Sequence, residues 1–386
     1  MSTFLKKSSL ILVGSAMLLT ACGQSEGSGT SSVQPAATQT ASPSPAAQAM
    51  TMGAAADFIK SYKEILEELG KEKADFSKVQ TIYNERVKKL AGTRDADTEA
   101  QLASAILAGK EGSLKQDVVK QLFDKLSQKL LFLSIRAEFK SLETAFDDKT
   151  KAKSFADEAK VYYGALKTTV EKRDTAYQTH MVTAIDGAFS DVTKSIDAGN
   201  KLDFLLAKQV IDKTIMKTFY LAAGGSKGYA YKIEQAVKDG KEPKVEQAEG
   251  WAFYQSLYAY LVKSAKEDAD WILNKFDLKS NPADIKGDQV KQAFVRSFAA
   301  VAKSEYKESV ENWGTDKSAI TALEGALFIQ LLDEDLTKWL GEAEAKALIE
   351  KSSNLFTAVK EKDKAKADPL FAEVNASLDK LTKAGK

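Results

Sequence analysis

The chain has 386 residues, and its 55 Lys and Arg residues nearly balance its 54 Asp and Glu residues. This composition lacks the clustered excess of basic residues that nucleic-acid binding needs, so we expect no nucleic-acid partner. His180 is the only histidine and Cys22 the only cysteine, which excludes an internal disulfide and a His-Glu-x-x-His zinc site.

The first predicted element is a bacterial lipoprotein signal peptide over residues 1–21. Two lysines at positions 6 and 7 precede an apolar stretch over residues 10–19, which is shorter than the ~20 residues of a permanent membrane helix. Leu19-Thr20-Ala21-Cys22 resembles the lipobox, in which the cysteine is acylated, for example with palmitate, and becomes the new N-terminus. We therefore expect a lipid anchor on Cys22 that holds the protein at the cell membrane, facing outward into the periplasm or onto the cell surface.

A flexible tether over residues 22–53 is expected to follow the lipid anchor. It consists almost wholly of Ser, Gly, Thr, Gln, Ala and Pro, and it contains three of the six prolines in the chain. Such a segment cannot bury enough apolar surface to offset the entropy lost on ordering it. The folded part should therefore stand off the membrane.

Residues 54–386 predict an all-α fold, a multi-helix bundle built from duplicated helical hairpins, as one unit or as two halves, 54–240 and 241–386. Apolar residues recur at spacings of three and four in two clear stripes, Phe58, Tyr62, Ile65 and Leu66, and Val119, Leu122, Leu126, Leu130 and Leu133. Helix ends are predicted at Gly92, Gly109, Gly199, Gly224 and Gly240. A helix start is predicted where Asn281 precedes Pro282.

The first internal repeat is a Lys-Gln motif. Lys120-Gln121-Leu122-Phe123-Asp124-Lys125, followed by Lys129, matches Lys208-Gln209-Val210-Ile211-Asp212-Lys213, followed by Lys217. The copies are 88 residues apart, which indicates duplicated hairpins rather than a short solenoid repeat. Shared ancestry of helix pairs would be enough to explain this repeat.

The second internal repeat is a Glu-Gly motif. Glu249-Gly250-Trp251-Ala252-Phe253-Tyr254-Gln255 matches Glu324-Gly325-Ala326-Leu327-Phe328-Ile329-Gln330, and Asp186-Gly187-Ala188-Phe189 is a looser relative. A glycine inside a helix costs about 1 kcal/mol relative to alanine, so we expect another helix or a ligand to approach closely there.

The carboxylates of the Glu-Gly motif allow three interpretations. Glu249 and Glu324 could lie in water in a first helical turn, where the helix dipole favours them, with Pro243 starting one helix and Ser318 or Thr321 capping the other. Alternatively, they enter apolar surroundings, where they must bind a cation or form a buried salt bridge. Glu246 lies three residues before Glu249 and shares its face, so a metal ion between the two would relieve their repulsion.

One family resemblance connects these motifs. The segment Lys208-Gln209-Val210-Ile211-Asp212-Lys213, then Phe219-Tyr220-Leu221, then Glu249-Gly250-Trp251-Ala252-Phe253-Tyr254, resembles the low-iron-inducible periplasmic protein family. Its members include algal iron-assimilation proteins and relatives of diatom phytotransferrins, and the resemblance covers roughly residues 54–365. It implies an extracytoplasmic protein that binds or acquires iron, with Glu249 and Glu324 as the acidic positions to test first.

Iron capture is therefore the leading expectation. Carboxylates, tyrosine oxygens and an imidazole are hard ligands that suit ferric iron. The candidate metal ligands are, in order, Glu249, Glu324, Glu246, Asp186, Tyr254 and His180. We expect capture outside the cytoplasmic membrane and handover to an iron transporter, without an enzymatic step, since no nucleophile–base pair is visible. The alternative is a helical envelope lipoprotein that acts as a protein-interaction module without a small ligand.

Overall fold

Residues 53–386 are described by a computed structural model of the chain, and within this range the chain forms helices joined by short loops, with no strand. The α-helices of this range are α1 (Ala54–Leu69), α2 (Phe76–Ile82), α3 (Lys88–Arg94), α4 (Ala96–Lys110), α5 (Gln116–Thr144), α6 (Lys149–Tyr177), α7 (Met181–Ala198), α8 (Lys201–Ala223), α9 (Tyr229–Lys238), α10 (Lys244–Leu261), α11 (Lys266–Phe276), α12 (Gly287–Glu311), α13 (Asp316–Leu331), α14 (Asp333–Leu340), α15 (Glu342–Lys360) and α16 (Lys364–Leu381). A π-helical segment, Tyr83–Val87, joins α2 to α3, and a 3-10 turn, Pro282–Asp284, precedes α12. The predicted all-α fold is confirmed.

Side-chain caps begin several of these helices. The caps accept hydrogen bonds from first-turn backbone amides, and they are Asp75, Asp95, Asp148, Asn200, Thr315 and Asp363. Such a cap satisfies donors that have no partner within the helix and stabilises it by about 1 kcal/mol. Thr315 caps α13, so the cap that we expected at Ser318 or Thr321 is wrong. The cap at Asn281 is confirmed, although it begins a 3-10 turn rather than an α-helix.

The predicted glycine helix ends are confirmed at three positions. Gly199, Gly224 and Gly240 lie at or directly after the ends of α7, α8 and α9. Gly92 and Gly109 lie in the last turns of α3 and α4, so these helices end just after the predicted glycines rather than at them. Gly109 also serves close packing, because an added Cβ would lie 2.3 Å from the ring of Phe76.

The predicted apolar stripes of α1 and α5 face the core. Every member of both stripes is buried except Leu66 and Leu133, which are half-buried. Burial of one such stripe along a helix is the main source of its stability within a protein. The three- and four-residue spacing therefore identified the buried face of each helix correctly.

Helices α5 and α8 carry the Lys-Gln motif and contact the helices that carry the Glu-Gly motif. Helix α5 packs against α6 and α10, and α8 packs against α7, α10 and α13. Because α5 and α8 precede residue 240 and α10 and α13 follow it, both expected halves contribute to one compact unit. This arrangement places the two internal repeats side by side.

The predicted signal peptide, the lipidated Cys22 and the tether up to residue 52 lie outside the described residues. Within residues 53–386, no helix combines the length and the apolar character that crossing a membrane requires.

Candidate functional site

Both glutamates of the Glu-Gly motif are drawn inward. Glu249 is the sixth residue of α10 and Glu324 the ninth residue of α13, so neither lies in a first helical turn. Their side chains are 12% and 13% exposed, respectively. The first-turn interpretation is therefore wrong for both residues, whereas Glu246 does lie in the first turn of α10.

The cation that faces each glutamate is a lysine of the Lys-Gln motif. Nζ of Lys125 lies 3.4 Å from Oε1 of Glu249, and Nζ of Lys213 lies 3.2 Å from Oε1 of Glu324. A carboxylate that is withdrawn from water needs such a partner, because an unpaired buried charge is costly. Of the three interpretations, the structure shows the salt bridge.

The two salt bridges repeat one local arrangement. Each lysine also pairs with the aspartate before it, Asp124 at 2.5 Å and Asp212 at 2.9 Å. Each ammonium lies over a phenylalanine four residues after the glutamate, with 5.6 Å to the ring centre of Phe253 and 5.2 Å to that of Phe328. Cation–π contacts of this kind contribute about 0.5–2 kcal/mol. We define the Lys125 site as Asp124, Lys125, Glu249 and Phe253, and the Lys213 site as Asp212, Lys213, Glu324 and Phe328.

The later lysine of each Lys-Gln motif forms an equivalent ion pair as well. Lys129 binds Asp95, the cap of α4, and Lys217 binds Asp333 in the first turn of α14, each at 2.6 Å. The repeat thus places matching lysines in matching ion pairs. Duplication of the hairpins stays a prediction.

The glycines of the Glu-Gly motif allow aromatic rings to approach the helix backbone. A Cβ added at Gly250 would lie 2.6 Å from the ring of Phe276, and one added at Gly325 would lie 2.7 Å from the ring of Tyr306. The expected close approach is confirmed, and an aromatic side chain of a neighbouring helix makes it in both cases. Gly187 of the looser relative differs, since nothing lies within 4 Å of an added Cβ there.

An arginine completes the charge balance of the Lys213 site. Arg136 of α5 donates two hydrogen bonds to Asp212, at 2.5 and 2.9 Å. Burial acts to raise the pKa of Asp212, but the charges of Arg136 and Lys213 outweigh burial and lower that pKa. Asp212 therefore stays ionised between two cations.

A second carboxyl group lies against Glu324. Glu305 of α12 accepts a 2.9 Å hydrogen bond from the hydroxyl of Tyr260 and lies within range of the charge of Glu324. Burial and then the charge of Glu324 raise the pKa of Glu305 to about 8. Glu305 therefore keeps its proton at neutral pH, because burial and a neighbouring negative charge both disfavour its ionised form.

An open groove lies beside the Lys213 site, between α5 and α8. Its volume is about 610 Å³, and three carboxylates line it together with five cationic side chains, Arg136, Lys140, Lys201, Lys208 and Lys213. Lys208 is paired with Glu143 at 2.6 Å. Lys140 and Lys201 are exposed and have no carboxylate oxygen within 4.0 Å in residues 53–386. The groove therefore carries an excess of positive charge.

Two further predicted ligands lie on α10 with Glu249. Tyr254 is fully buried, and its hydroxyl donates a 2.7 Å hydrogen bond to the backbone oxygen of Ala269 in α11. This hydroxyl is thus used in packing α10 against α11. Glu246 is half-buried and forms no ion pair within 4.0 Å in the described part of the chain.

The last two predicted ligands lie at and near the start of α7. Asp186 is 45% exposed and lies 2.8 Å from Nζ of Lys167. His180 is exposed and lines a separate groove of about 390 Å³ that Lys213 also borders. Across residues 53–386, no three His, Cys, Asp or Glu side chains lie close enough together to hold a metal ion. The six predicted ligands are therefore not assembled into one metal site.

Sequence reasoning does not identify the partners of the two glutamates. One signal points to Lys125 and Lys213, because the Asp-Lys pair is identical in both copies of the Lys-Gln motif. Nothing comparable marks Arg136 or Glu305, since neither belongs to a repeated motif. Their roles follow only from the packing of α5 on α8 and of α12 on α13.

None of the family models, curated proteins or solved structures compared with this chain matches it. The resemblance to the low-iron-inducible periplasmic protein family therefore stays a prediction that rests on short motifs. The fold, the two lysine sites and the basic groove are the observations from which a function can be argued.

Proposed function

We propose that the protein is a membrane-tethered, extracytoplasmic binding protein that takes up an anionic ligand in the groove between α5 and α8. One observation carries this proposal, the 610 Å³ groove whose lining includes five cationic and three anionic side chains. Lys140 and Lys201 are exposed there and can donate charged hydrogen bonds to carboxylate or phosphate oxygens. The salt bridges of Arg136 and Lys213 hold the groove wall in place before binding, which lowers the entropy cost of association.

Iron remains our proposed cargo, in the form of an anionic chelate. A bare ferric ion would have to displace a lysine from Glu249 or from Glu324 before it could reach either carboxylate. A polycarboxylate chelate of ferric iron brings its own hard oxygen ligands and presents negative charge to the protein, which suits a basic groove. In this form the protein needs to supply no metal ligand of its own.

The tether gives this binding protein a defined role at the membrane. Lipid on Cys22 and a flexible segment over residues 22–53 would keep the helical domain at high effective concentration near a membrane transporter. Cargo that leaves the groove would then reach an iron transporter without diffusing away. We propose no catalytic step.

A binding titration with the chain from Ser25 onward tests this proposal. Citrate, ferric citrate and unchelated ferrous iron are titrated separately by calorimetry, and we expect both citrate forms to bind. The Lys140→Ala/Lys201→Ala variant should weaken their binding by about tenfold or more, because a hydrogen bond to a charged group contributes about 1.5–3 kcal/mol.

The matched control removes the same charge elsewhere. Lys160→Ala/Lys172→Ala takes two exposed lysines from α6, and its affinity for citrate should equal that of the wild type. No binding of either citrate form, or an equal loss in both double variants, would contradict the groove. Tight binding of ferrous iron that disappears in Glu324→Ala would contradict capture as a chelate.

No observation in the described residues favours the alternative of a protein-interaction module. The large apolar side chains that are more than two-fifths exposed in residues 53–386 are Leu107, Val161 and Val310. They lie on three different helices, α4, α6 and α12. Interaction surfaces usually need a contiguous apolar patch.

A further inference from the structure

A second groove adjoins the basic groove along α8 and α13. It is the groove of about 390 Å³ that His180 lines, and we call it the His180 groove. Lys213 of α8 borders both grooves. On α13, Glu324 lines the basic groove, and Leu327, three residues later, lines the His180 groove. Because residues three apart in a helix are neighbours on its surface, the two grooves meet at the salt bridge between Lys213 and Glu324.

The lysines of the His180 groove are already paired. Its lining contains two lysines and one aspartate. Lys217 lies 2.6 Å from a carboxylate oxygen of Asp333, and it donates a 3.0 Å hydrogen bond to the backbone oxygen of Gln330. Lys213 is held by the two carboxylates of its own site. The excess of positive charge therefore belongs to the basic groove and not to the His180 groove.

Apolar and neutral polar side chains form most of the remaining lining of the His180 groove. The apolar residues come from α7, α13 and α15, and they are Met181, Ala184, Leu327, Leu331 and Ile349. The neutral polar residues are Gln178, Thr179, Thr214 and Gln330. Such a lining favours an uncharged part of a ligand, because burial removes its apolar surface from water while a few polar groups fix its orientation.

We propose that the two grooves bind one elongated ligand, an anion whose charged end lies in the basic groove and whose uncharged, partly apolar arm lies in the His180 groove. This inference rests on the proposed function, since it needs an anion in the basic groove. The difference in charge between the two grooves sets the direction in which the ligand lies. The salt bridge between Lys213 and Glu324 marks the point where the charged end gives way to the arm.

Two esters of citrate test the arm, in calorimetric titrations of the chain from Ser25 onward. Monomethyl citrate and monobutyl citrate, esterified at the same terminal carboxyl group, carry equal charge and differ only in the length of the alkyl arm. We expect the butyl ester to bind about fivefold more tightly or better, because each added methylene group that leaves water favours binding.

A substitution on α7 tests where the arm lies. Ala184 is exposed and lines the His180 groove, so Ala184→Glu places a charged side chain in the path of the arm and should abolish the preference for the butyl ester. Thr183→Glu is the matched control, because Thr183 is the preceding residue, is also exposed and does not line the groove. This variant should keep the wild-type preference. Circular dichroism of both variants verifies that the helices are intact.

The outcomes distinguish this inference from the proposed function. Loss of the butyl preference in Ala184→Glu alone, with the affinity for citrate unchanged, would support an arm in the His180 groove. Equal affinities of the two esters, or the same loss in both glutamate variants, would overturn the arm even where citrate binds. Failure of citrate and of both esters to bind would overturn the basic groove and the arm together.

Discussion

The Lys125 site and the Lys213 site use the same residue types at the same spacings, but their charges are balanced differently. At the Lys213 site, Arg136 meets Asp212, and the charge of Glu324 helps to raise the pKa of Glu305. At the Lys125 site, Arg173 and Lys232 lie beside the rings of Phe253 and Tyr229, and Glu249 accepts a hydrogen bond from Tyr229. The side chain of Lys213 is 4% exposed and that of Lys125 is 13% exposed. One helical framework thus supports two lysine salt bridges with different charged neighbours, and residues outside the repeats make the difference.

The largest expected difference between the two sites is the loss of unfolding free energy when Lys213 or Lys125 is replaced. Lys213→Met leaves Asp212 and Glu324 without the cation between them, so we expect the free energy of unfolding to fall by about 3 kcal/mol. Lys125→Met should cost only about 1–2 kcal/mol, because Lys125 is more exposed and Arg173 can help to neutralise Glu249. Urea unfolding monitored by circular dichroism measures both values. Equal costs would show that the two sites are energetically alike.

Alanine at the motif glycines tests whether both sites depend on close ring packing. Gly250→Ala and Gly325→Ala each place a Cβ under 3 Å from a ring, so we expect each to destabilise the protein by about 1–2 kcal/mol. Gly187→Ala is the matched control on α7, where the space is open. That variant should be stabilised by about 0.5–1 kcal/mol, because alanine favours the helix. Stabilisation of all three variants in thermal unfolding would rule out the packing explanation.

The pH dependence of stability should separate the two sites through Glu305. Burial and the charge of Glu324 raise the pKa of Glu305 from 4.5 to about 8. Between these values the folded protein holds a proton that the unfolded chain has lost, so this group makes the free energy of unfolding fall as pH rises. Its contribution is at most about 1.4 kcal/mol per pH unit. Glu305→Gln removes the ionisable group, and urea unfolding from about pH 5 to about pH 8 should then show a flatter profile.

The neighbouring substitution Ser304→Ala serves as the control for that measurement. Ser304 is exposed and does not ionise in this range, so its variant should reproduce the wild-type pH profile. A Glu305→Gln profile as steep as that of the wild type would show that the pKa of Glu305 is not raised in the folded protein.

The smallest effect is expected at the later lysines of the Lys-Gln motif. Lys129 and Lys217 make equivalent 2.6 Å ion pairs with aspartates at helix starts, and the aspartates are 26% and 38% exposed. We expect Lys129→Met and Lys217→Met each to cost about 0.5–1 kcal/mol, since partly exposed pairs are screened by water. Costs that differ by more than a factor of two would break the equivalence of the two copies at this position.

Much of the fold could be predicted from local sequence patterns. The features predicted correctly depend on residues that are near neighbours along the chain. They are the apolar stripes of α1 and α5, the cap at Asn281 and the helix ends at Gly199, Gly224 and Gly240. Gly92 and Gly109 lie one or two residues before the helix ends, and at Gly109 the ring of Phe76 gives a packing reason for the glycine.

The candidate site was only partly predictable, because its ion pairs join residues that are far apart along the chain. Glycine and glutamate side by side inside an apolar helix correctly indicated a close neighbour at the glycine, but they left open whether the carboxylate lies inward or in water. The identity of each carboxylate's partner depended on residues more than 100 positions away, since Lys125 meets Glu249 and Lys213 meets Glu324. Asp186 and His180 were included among the expected ligands only because their side chains can bind metal ions, and both are exposed in the structure.

By itself, the sequence determined that residues 54–386 form helices and which face of α1 and α5 is buried. These properties follow from spacing within one or two helical turns. The tertiary structure decided that Glu249 and Glu324 turn inward and pair with Lys125 and Lys213, and that Glu305 lies near the charge of Glu324. Charge pairing acts through space between different helices, and spacing along the chain does not specify which helices meet.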